Sequence, residues 1–234
     1  MSTIIQRYEN FDASSVVFSK MKKNKNGGKT VYINALGNKK MYLQLPFLRS
    51  PFGLSAFTDE TTNKTSYSLD LSFDKDNESA MELMEKLQGL DTRIIETVAE
   101  NSKEWLGKQY NIDVIREALY KPIVRQGKEE YPSTMKLKLI TKTDGSFLAE
   151  AYDMSQKSMP LEGIEKGQKC MCIVDINQIW FIDNKFGVSV RLSQVLCEQS
   201  TKLPSFAFQG VDGVSPGEEN DASEEDEEEC EIDE

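Results

Sequence analysis

The chain has 234 residues, with 28 Lys and Arg against 39 Asp and Glu, no His, and a formal net charge of −11. The lack of histidine removes the usual general base, the commonest metal ligand and every Ser–His or Cys–His pair. No phosphate loop, dinucleotide fingerprint or carboxylate-rich metal motif takes their place, so no enzyme, metal site or cofactor is expected; catalysis by Asp, Glu or Lys alone is the residual alternative. No run approaches the ~18 apolar residues of a membrane span, and residues 1–10 lack the apolar core of a signal peptide. The expectation is a soluble, intracellular protein without a membrane partner. Cys170, Cys172, Cys197 and Cys230 lack metal-ligand spacing and read as reduced thiols of the cytosol or nucleus.

In chain order, residues 14–18 (SSVVF) and 30–35 (TVYINA) read as a hairpin with Gly27-Gly28 at its turn. Lys20, Lys22, Lys23, Lys25 and Lys29 crowd its tip, which is either a solvated loop or a basic finger for phosphates. Residues 1–57 carry nine bases against Glu9 and Asp12, and this asymmetry favours the finger. Residues 41–45 (MYLQL) alternate, placing Tyr42 on the face opposite Met41, Leu43 and Leu45; Tyr32 stands likewise to Val31 and Ile33. Outward aromatics beside lysines can stack on bases, or pack across strands or in a dimer. Phe47, Phe52 and Phe57 plug a barrel end or line a groove floor. Residues 66–73 (SYSLDLSF) make a further strand.

The period then becomes helical. Residues 76–87 predict a helix, Gly89 interrupts it, residues 90–106 continue, and residues 113–120 form a short third helix. Lys121, Arg125 and Lys128 fall in a loop. Residues 134–140 (TMKLKLI) put Lys136 and Lys138 on one face, and residues 146–152 follow an Asp144-Gly145 turn. Residues 170–181 and 186–196 are the closing strands; Val188, Val190 and Leu192 point inward, Arg191 outward, and Lys185 lies at the turn. Trp180 and Phe181 are adjacent and so face opposite sides, one core and one exposed.

Residues 204–217 read as a Gly/Pro linker. From residue 218 the chain is an acidic tail that cannot bury enough apolar surface to order itself. Thirteen acids and no bases fall from Asp212 onward, leaving residues 1–211 with 28 bases against 26 acids, a net +2. The tail is a solubility device, a mimic of nucleic acid, or a docking strip for a basic partner. Its candidate partner-binding residues are Glu224, Glu225, Asp226, Glu227, Glu228, Glu229, Glu231, Asp233 and Glu234. Ser223 before this run has the pattern of an acidic-directed kinase site.

Seven or eight short strands around a helix predict a mainly β fold with a helical insert (α+β), an oligonucleotide/oligosaccharide-binding (OB-fold-like) barrel of five or more strands. The expected domains are a barrel at 1–203 with its helical insert at about 76–120, the linker, and a disordered tail at 218–234. The order SYSLDLSF, charged helix, KLKLITKTDGSFLAEAYD, the MPLEGIEKGQK loop, CMCIVDINQIWF, DNKFGVSVRLSQVLC and acidic end resembles the replication single-stranded-DNA-binding proteins of short-tailed phages and their counterparts in large eukaryotic DNA viruses. PFGLSAF looks like the large-virus branch. Two features depart from the phage pattern: the end lacks the terminal aromatic residue, and residues 1–65 match poorly.

The resemblance implies a homodimer whose tail competes with DNA and docks DNA polymerase or helicase. Its setting would be replication, recombination or repair, in a host nucleus or a cytoplasmic viral replication compartment. The expected function is sequence-independent binding of single-stranded DNA. Lys20, Lys22, Lys23, Lys25, Lys29, Lys136, Lys138, Lys185 and Arg191 would track phosphates, and some of Tyr32, Tyr42, Trp180 and Phe181 would stack bases. The alternatives are an acidic-tailed histone chaperone or scaffold for basic proteins, and an accessory factor without DNA affinity.

Overall fold

A computed structural model of the chain describes residues 5–23, 27–128, 130–199 and 208. The strands are, in order, β1 (Ile5–Arg7), β2 (Val17–Phe18), β3 (Lys22–Lys23), β4 (Lys29–Ala35), β5 (Lys39–Lys40), β6 (Tyr42–Arg49), β7 (Leu54–Thr58) and β8 (Thr65–Phe73). Helices α1 (Glu78–Glu100), α2 (Ser102–Trp105) and α3 (Ile112–Val114) follow. Then come β9 (Tyr120–Lys121), β10 (Val124–Arg125), β11 (Ser133–Leu139), β12 (Glu150–Asp153), β13 (Ser158–Met159), β14 (Lys169–Ile182) and β15 (Lys185–Cys197).

Five strands form a circuit. β6 pairs with β8, β8 with β11, β11 with β15, β15 with β14, and β14 with β6; only the β11–β15 pair is parallel. Taken in chain order these are strands 1-2-3-5-4, closing on strand 1. Alternation puts one apolar row of each strand inside: Leu43 and Leu45, Leu69 and Leu71, Leu137 and Leu139, Cys172 and Val174, and Val190 and Leu192 are all buried. The barrel is not a clean one. The β6–β8 seam is the single pair Arg49–Ser72, and the β11–β15 seam the single pair Lys138–Arg191. The sheet also runs past the circuit, through β12 and β13 on one side and β4 and β2 on the other.

Helix α1 covers the gap where β6 and β8 diverge, touching both. Its stripe Leu83, Leu87, Leu90, Ile94 and Val98 is buried in the same core as the barrel interior. Asn77 caps its start by accepting from the Ala80 amide at 3.2 Å. Gly89, expected to interrupt, lies inside one continuous helix. Its cost of about 1 kcal/mol relative to alanine is outweighed by an apolar stripe that runs through it, and an ideal Cβ there would sit 3.9 Å from that of Ala13.

Other expectations shift locally. Residues 13–15 form a 3₁₀ turn in place of a strand, because Asp12 accepts from the Ser14 amide at 2.8 Å. The expected third helix is a short α turn running into a π turn, Ile115–Leu119. Phe52 and Phe57 are exposed and neither plugs the barrel. Arg49 makes two 3.0 Å hydrogen bonds to Asp74, which hold that carboxyl below its usual range and tie the weak β6–β8 seam. The three described cysteines are free thiols; Cys170 and Cys197 face each other across β14 and β15 with sulfurs 3.6 Å apart. Among the described residues no helix is long and apolar enough to cross a membrane.

Candidate nucleic-acid interface

The outward rows of β14, β15 and β6 line up by register. Tyr42 on β6 stands across from Asp175 on β14, Asp175 from Arg191 on β15, and Arg191 from Lys138 on β11. The next row runs Gln44, Ile173, Gln194 and Glu150, and the one after it Phe47, Met171, Leu196 and Tyr152. Lys40, Tyr42, Ile173, Asp175, Arg191 and Gln194 line a groove of about 480 Å³. A second hollow beside it shares Ile173 and Gln194 and reaches Met171 and Tyr152; a third shares Lys40 and Tyr42 and reaches Lys39 and Leu36. The three form one shallow channel across the outside of the barrel.

The groove is lined by Tyr42, Ile140, Leu148 and Ile173, by the cations Lys40 and Arg191, and by the carboxylates of Asp175 and Glu150, the latter accepting from the Tyr152 hydroxyl at 2.9 Å and from Gln194 Nε2 at 3.0 Å. Lys40 Nζ lies 5.7 Å from the Tyr42 ring centroid and 3.7 Å from the Asp175 carboxylate. Asp175 is buried and also accepts from Asn177 Nδ2 at 3.2 Å, so its charge is engaged within the protein.

Farther along β14 the pattern repeats. Trp180 stands between Thr30 on β4 and Gly187 on β15, and Gly187 pairs onward with Lys121 on β9. Tyr32, paired with Gln178, is exposed, and Lys22 Nζ sits 5.0 Å over its ring. From Trp180 to Asp175 is about 16 Å along the strand, at ~3.3 Å per residue. Gly187 makes the ledge on which Trp180 lies: a Cβ there would come 2.8 Å from Trp180 Cζ2 and 3.0 Å from Lys121 O. Gly187→Ala is therefore expected to push the indole off β15, cost about 1–3 kcal/mol in urea denaturation, and shift tryptophan emission. An unchanged spectrum and stability would show that the ledge is not filled by Trp180.

The expected site residues divide as follows. Tyr42, Lys138 and Arg191 come together in one row; Lys22 shares the Thr30–Trp180 row and sits over the ring of Tyr32, which belongs to the adjoining Gln178 row. Lys20, Lys23 and Lys185 are exposed, and Lys23 stands in the row of Lys29 and Phe181 rather than that of Trp180. Lys29 is turned away; its Nζ donates to the Trp105 carbonyl at 3.1 Å, at the end of α2. Lys136 is matched by Asp70 at 3.4 Å and by Ser68. Phe181 is the core member of the Trp180–Phe181 pair: it is 7% exposed and stacks on Phe186 at 5.7 Å, so it cannot meet a base in the folded protein. Lys25, Ser223 and the acidic run Glu224–Glu234 lie outside the described residues.

Lys40, Lys121, Arg125, Met171, Ile173 and Tyr152 join the face without having been singled out by the sequence. The alternation of residues 170–181 was the one signal available for Met171 and Ile173. Lys121 and Arg125 gave none, since their place depends on the short β9 and β10 pairings.

A family model described as a family of unknown function (DUF5871) matches residues 66–209. The chain belongs to this family. The match takes in β8 to β15, and so the β11, β14 and β15 parts of the face; Tyr32, Tyr42, Lys22 and Lys40 lie in the 65 residues before it. No curated protein matches the chain.

Among solved structures, this DUF5871 chain is similar to gp2.5, a single-stranded-DNA-binding protein encoded by bacteriophage T7. The TM-score is 0.44 at 14% identity, over 80% of this chain and 100% of that one. It is also similar to the single-stranded-DNA-binding protein of bacteriophage Enc34 in complex with single-stranded DNA, with a TM-score of 0.39 at 12% identity, over 79% and 97% of the two chains.

Proposed function

We propose that the protein binds single-stranded DNA without sequence preference along the outer face of β14, β15 and β6. The observation that carries this is the register itself. Outward rings stand at two places along the face, Tyr42 in one group and Tyr32 with Trp180 farther along β14 in the other, with Tyr152 three strands from Tyr42. Each group has cations beside it: Lys40, Arg191 and Lys138 for the first, Lys22 and Lys121 for the second. Rings accept any base by its π-face, which a duplex hides in its own stack, and cations follow the backbone whatever its sequence.

In this reading the protein is not an enzyme and serves DNA replication, recombination or repair. The acidic residues from Glu218 to Glu234 compete with DNA for the basic face, and once displaced they recruit a DNA polymerase or helicase; the chain acts as a homodimer. Competition by a polyanion follows from charge alone and weakens with salt.

The test is a salt titration of fluorescent dT oligonucleotide binding by the full chain and by a version ending at Val211. The expected result is binding by both, tighter for the truncated chain, with duplex DNA a poor competitor and log K falling by about 0.7 per phosphate contact for each decade of salt. Equal or weaker binding by the truncated chain would remove the competition. No binding by either at low salt, with histones retained by the full chain, would make the protein an acidic scaffold for basic partners.

A further inference from the structure

On the outer face of β11 two lysines stand two residues apart in very different surroundings. Lys136 has its carboxylate, Asp70 at 3.4 Å, and a hydroxyl, Ser68 at 3.3 Å. Lys138 has neither. Its cross-strand partner at the β11–β15 seam is Arg191, another cation. Arg125, held on the same edge of β11 by the pairing of β10 with Thr134, comes near enough to act on it as well. Among the described residues no carboxylate lies within ion-pair distance of any of the three. Asp175, across β14 from Arg191, is taken by Lys40 and Asn177. Arg191 Nε is buried and has no hydrogen-bond partner. Partial desolvation, then Arg191 and Arg125, hold the Lys138 ammonium below its ordinary range.

Like charges set opposite each other destabilise a sheet, and a buried donor without an acceptor costs more. A seam selected for stability alone would carry an acid or an apolar residue at one of these positions, as Asp70 does beside Lys136. We propose that Lys138, Arg191 and Arg125 are a phosphate site, held open at the cost of stability in the free protein and completed by an anionic oxygen that accepts from Arg191. This deepens the reading of the face as a single-stranded-DNA platform and rests on it for the ligand, one backbone phosphate of the bound strand. Arg191 lies in the Tyr42 row, two strand spacings or about 10 Å away, so a strand gripped here passes over the channel.

Two measurements on the full chain test it. The first is thermal melting of the wild type, Lys138→Met, and the triple variant Lys138→Met, Arg191→Gln, Arg125→Gln, with and without inorganic tripolyphosphate. Lys138→Met is expected to melt higher than the wild type at low salt, because repulsion is relieved, and to lose that advantage at high salt. Tripolyphosphate is expected to raise the wild-type melting temperature and to leave the triple variant unmoved. The second is the salt dependence of dT oligonucleotide binding, whose slope is expected to be smaller by about 0.7 in the triple variant, one phosphate contact.

If wild type and triple variant bind dT with the same slope and respond alike to tripolyphosphate, the phosphate site is overturned while the DNA-binding face stands. If the wild type binds no dT but its tripolyphosphate response is lost in the triple variant, the site stands and the DNA reading falls. If Lys138→Met melts lower than the wild type at low salt, the cluster is not under repulsion and the argument for an open site fails. Circular dichroism of the triple variant checks that it folds; should it not, Lys138→Met alone carries the same comparisons.

Discussion

Tyr42→Ala is expected to weaken binding of a dT oligonucleotide by roughly 5- to 150-fold, and Tyr42→Phe to leave it within about twofold. The range follows from the 1–3 kcal/mol that a base stacked on an aromatic ring contributes, at a factor of ten for each 1.4 kcal/mol. The ring stands on the outward side of β6 while Leu43 and Leu45 hold the strand to the core, so its removal should change stability little. The hydroxyl receives only a 3.5 Å contact from Lys40, so its loss in the phenylalanine variant costs little. Tyr42→Ala removes no cation, so it should shift the salt titration in parallel and leave its slope unchanged. That separates it from the cation variants, which change the slope. Fluorescence anisotropy at two salt concentrations checks both points, and an unchanged dissociation constant for Tyr42→Ala would show that the channel is not a base platform.

The parts of this face that were legible in the sequence are those set by period-2 alternation. Tyr32, Tyr42, Trp180 and Arg191 each sit next to apolar residues that the core requires, and the pleat then fixes their direction. The barrel class was legible for the same reason: Leu69, Leu71, Leu137 and Leu139 alternate. Helical spacing marked helix on both sides of Gly89, but its continuity through the glycine was not legible, because it rests on the burial of Leu87 and Leu90 against the barrel. What alternation cannot give is which strand lies beside which. Lys138 and Arg191 are 53 positions apart and meet only because β11 and β15 close the circuit in parallel. Arg125 joins them through a two-residue strand too short to leave a pattern. Lys29 and Lys136 look like their neighbours in the sequence and are spent on the Trp105 carbonyl and on Asp70. A lysine's partner is a tertiary fact, and a run of lysines reads alike whether its charges are engaged or open.

The same limit hid Asp91, an acid in the middle of an apolar helical stripe. It is 7% exposed, accepts from the Tyr120 hydroxyl at 2.5 Å and from the Ile123 amide at 3.2 Å, and so ties α1 to the segment that pairs with β15. Tyr120 in turn packs its ring on Phe186, 5.1 Å between centroids. Burial pushes the Asp91 carboxyl up to about 6, against the pull of these hydrogen bonds. A carboxyl that holds its proton more tightly folded than unfolded favours the folded state at low pH. Its contribution is fully present below about pH 4, falls as pH rises toward 6, and is gone above that; a shift of roughly two units corresponds to about 3 kcal/mol.

Asp74 beside Arg49 acts in the opposite sense, its lowered carboxyl losing stability as pH falls, so the wild-type profile alone mixes the two. Asp91→Asn isolates the first. Asparagine keeps an acceptor for Tyr120 and has no charge to lose. The difference in urea-denaturation free energy, wild type minus Asp91→Asn, is expected to be larger at pH 4.5 than at pH 7.5 by about 2 kcal/mol. All other titrating groups, the acidic residues after Val211 among them, cancel in that difference. A gap that stays constant with pH would mean that Asp91 is ionised in the folded protein at both pH values, and that α1 is tied to β9 by an ordinary solvated carboxylate.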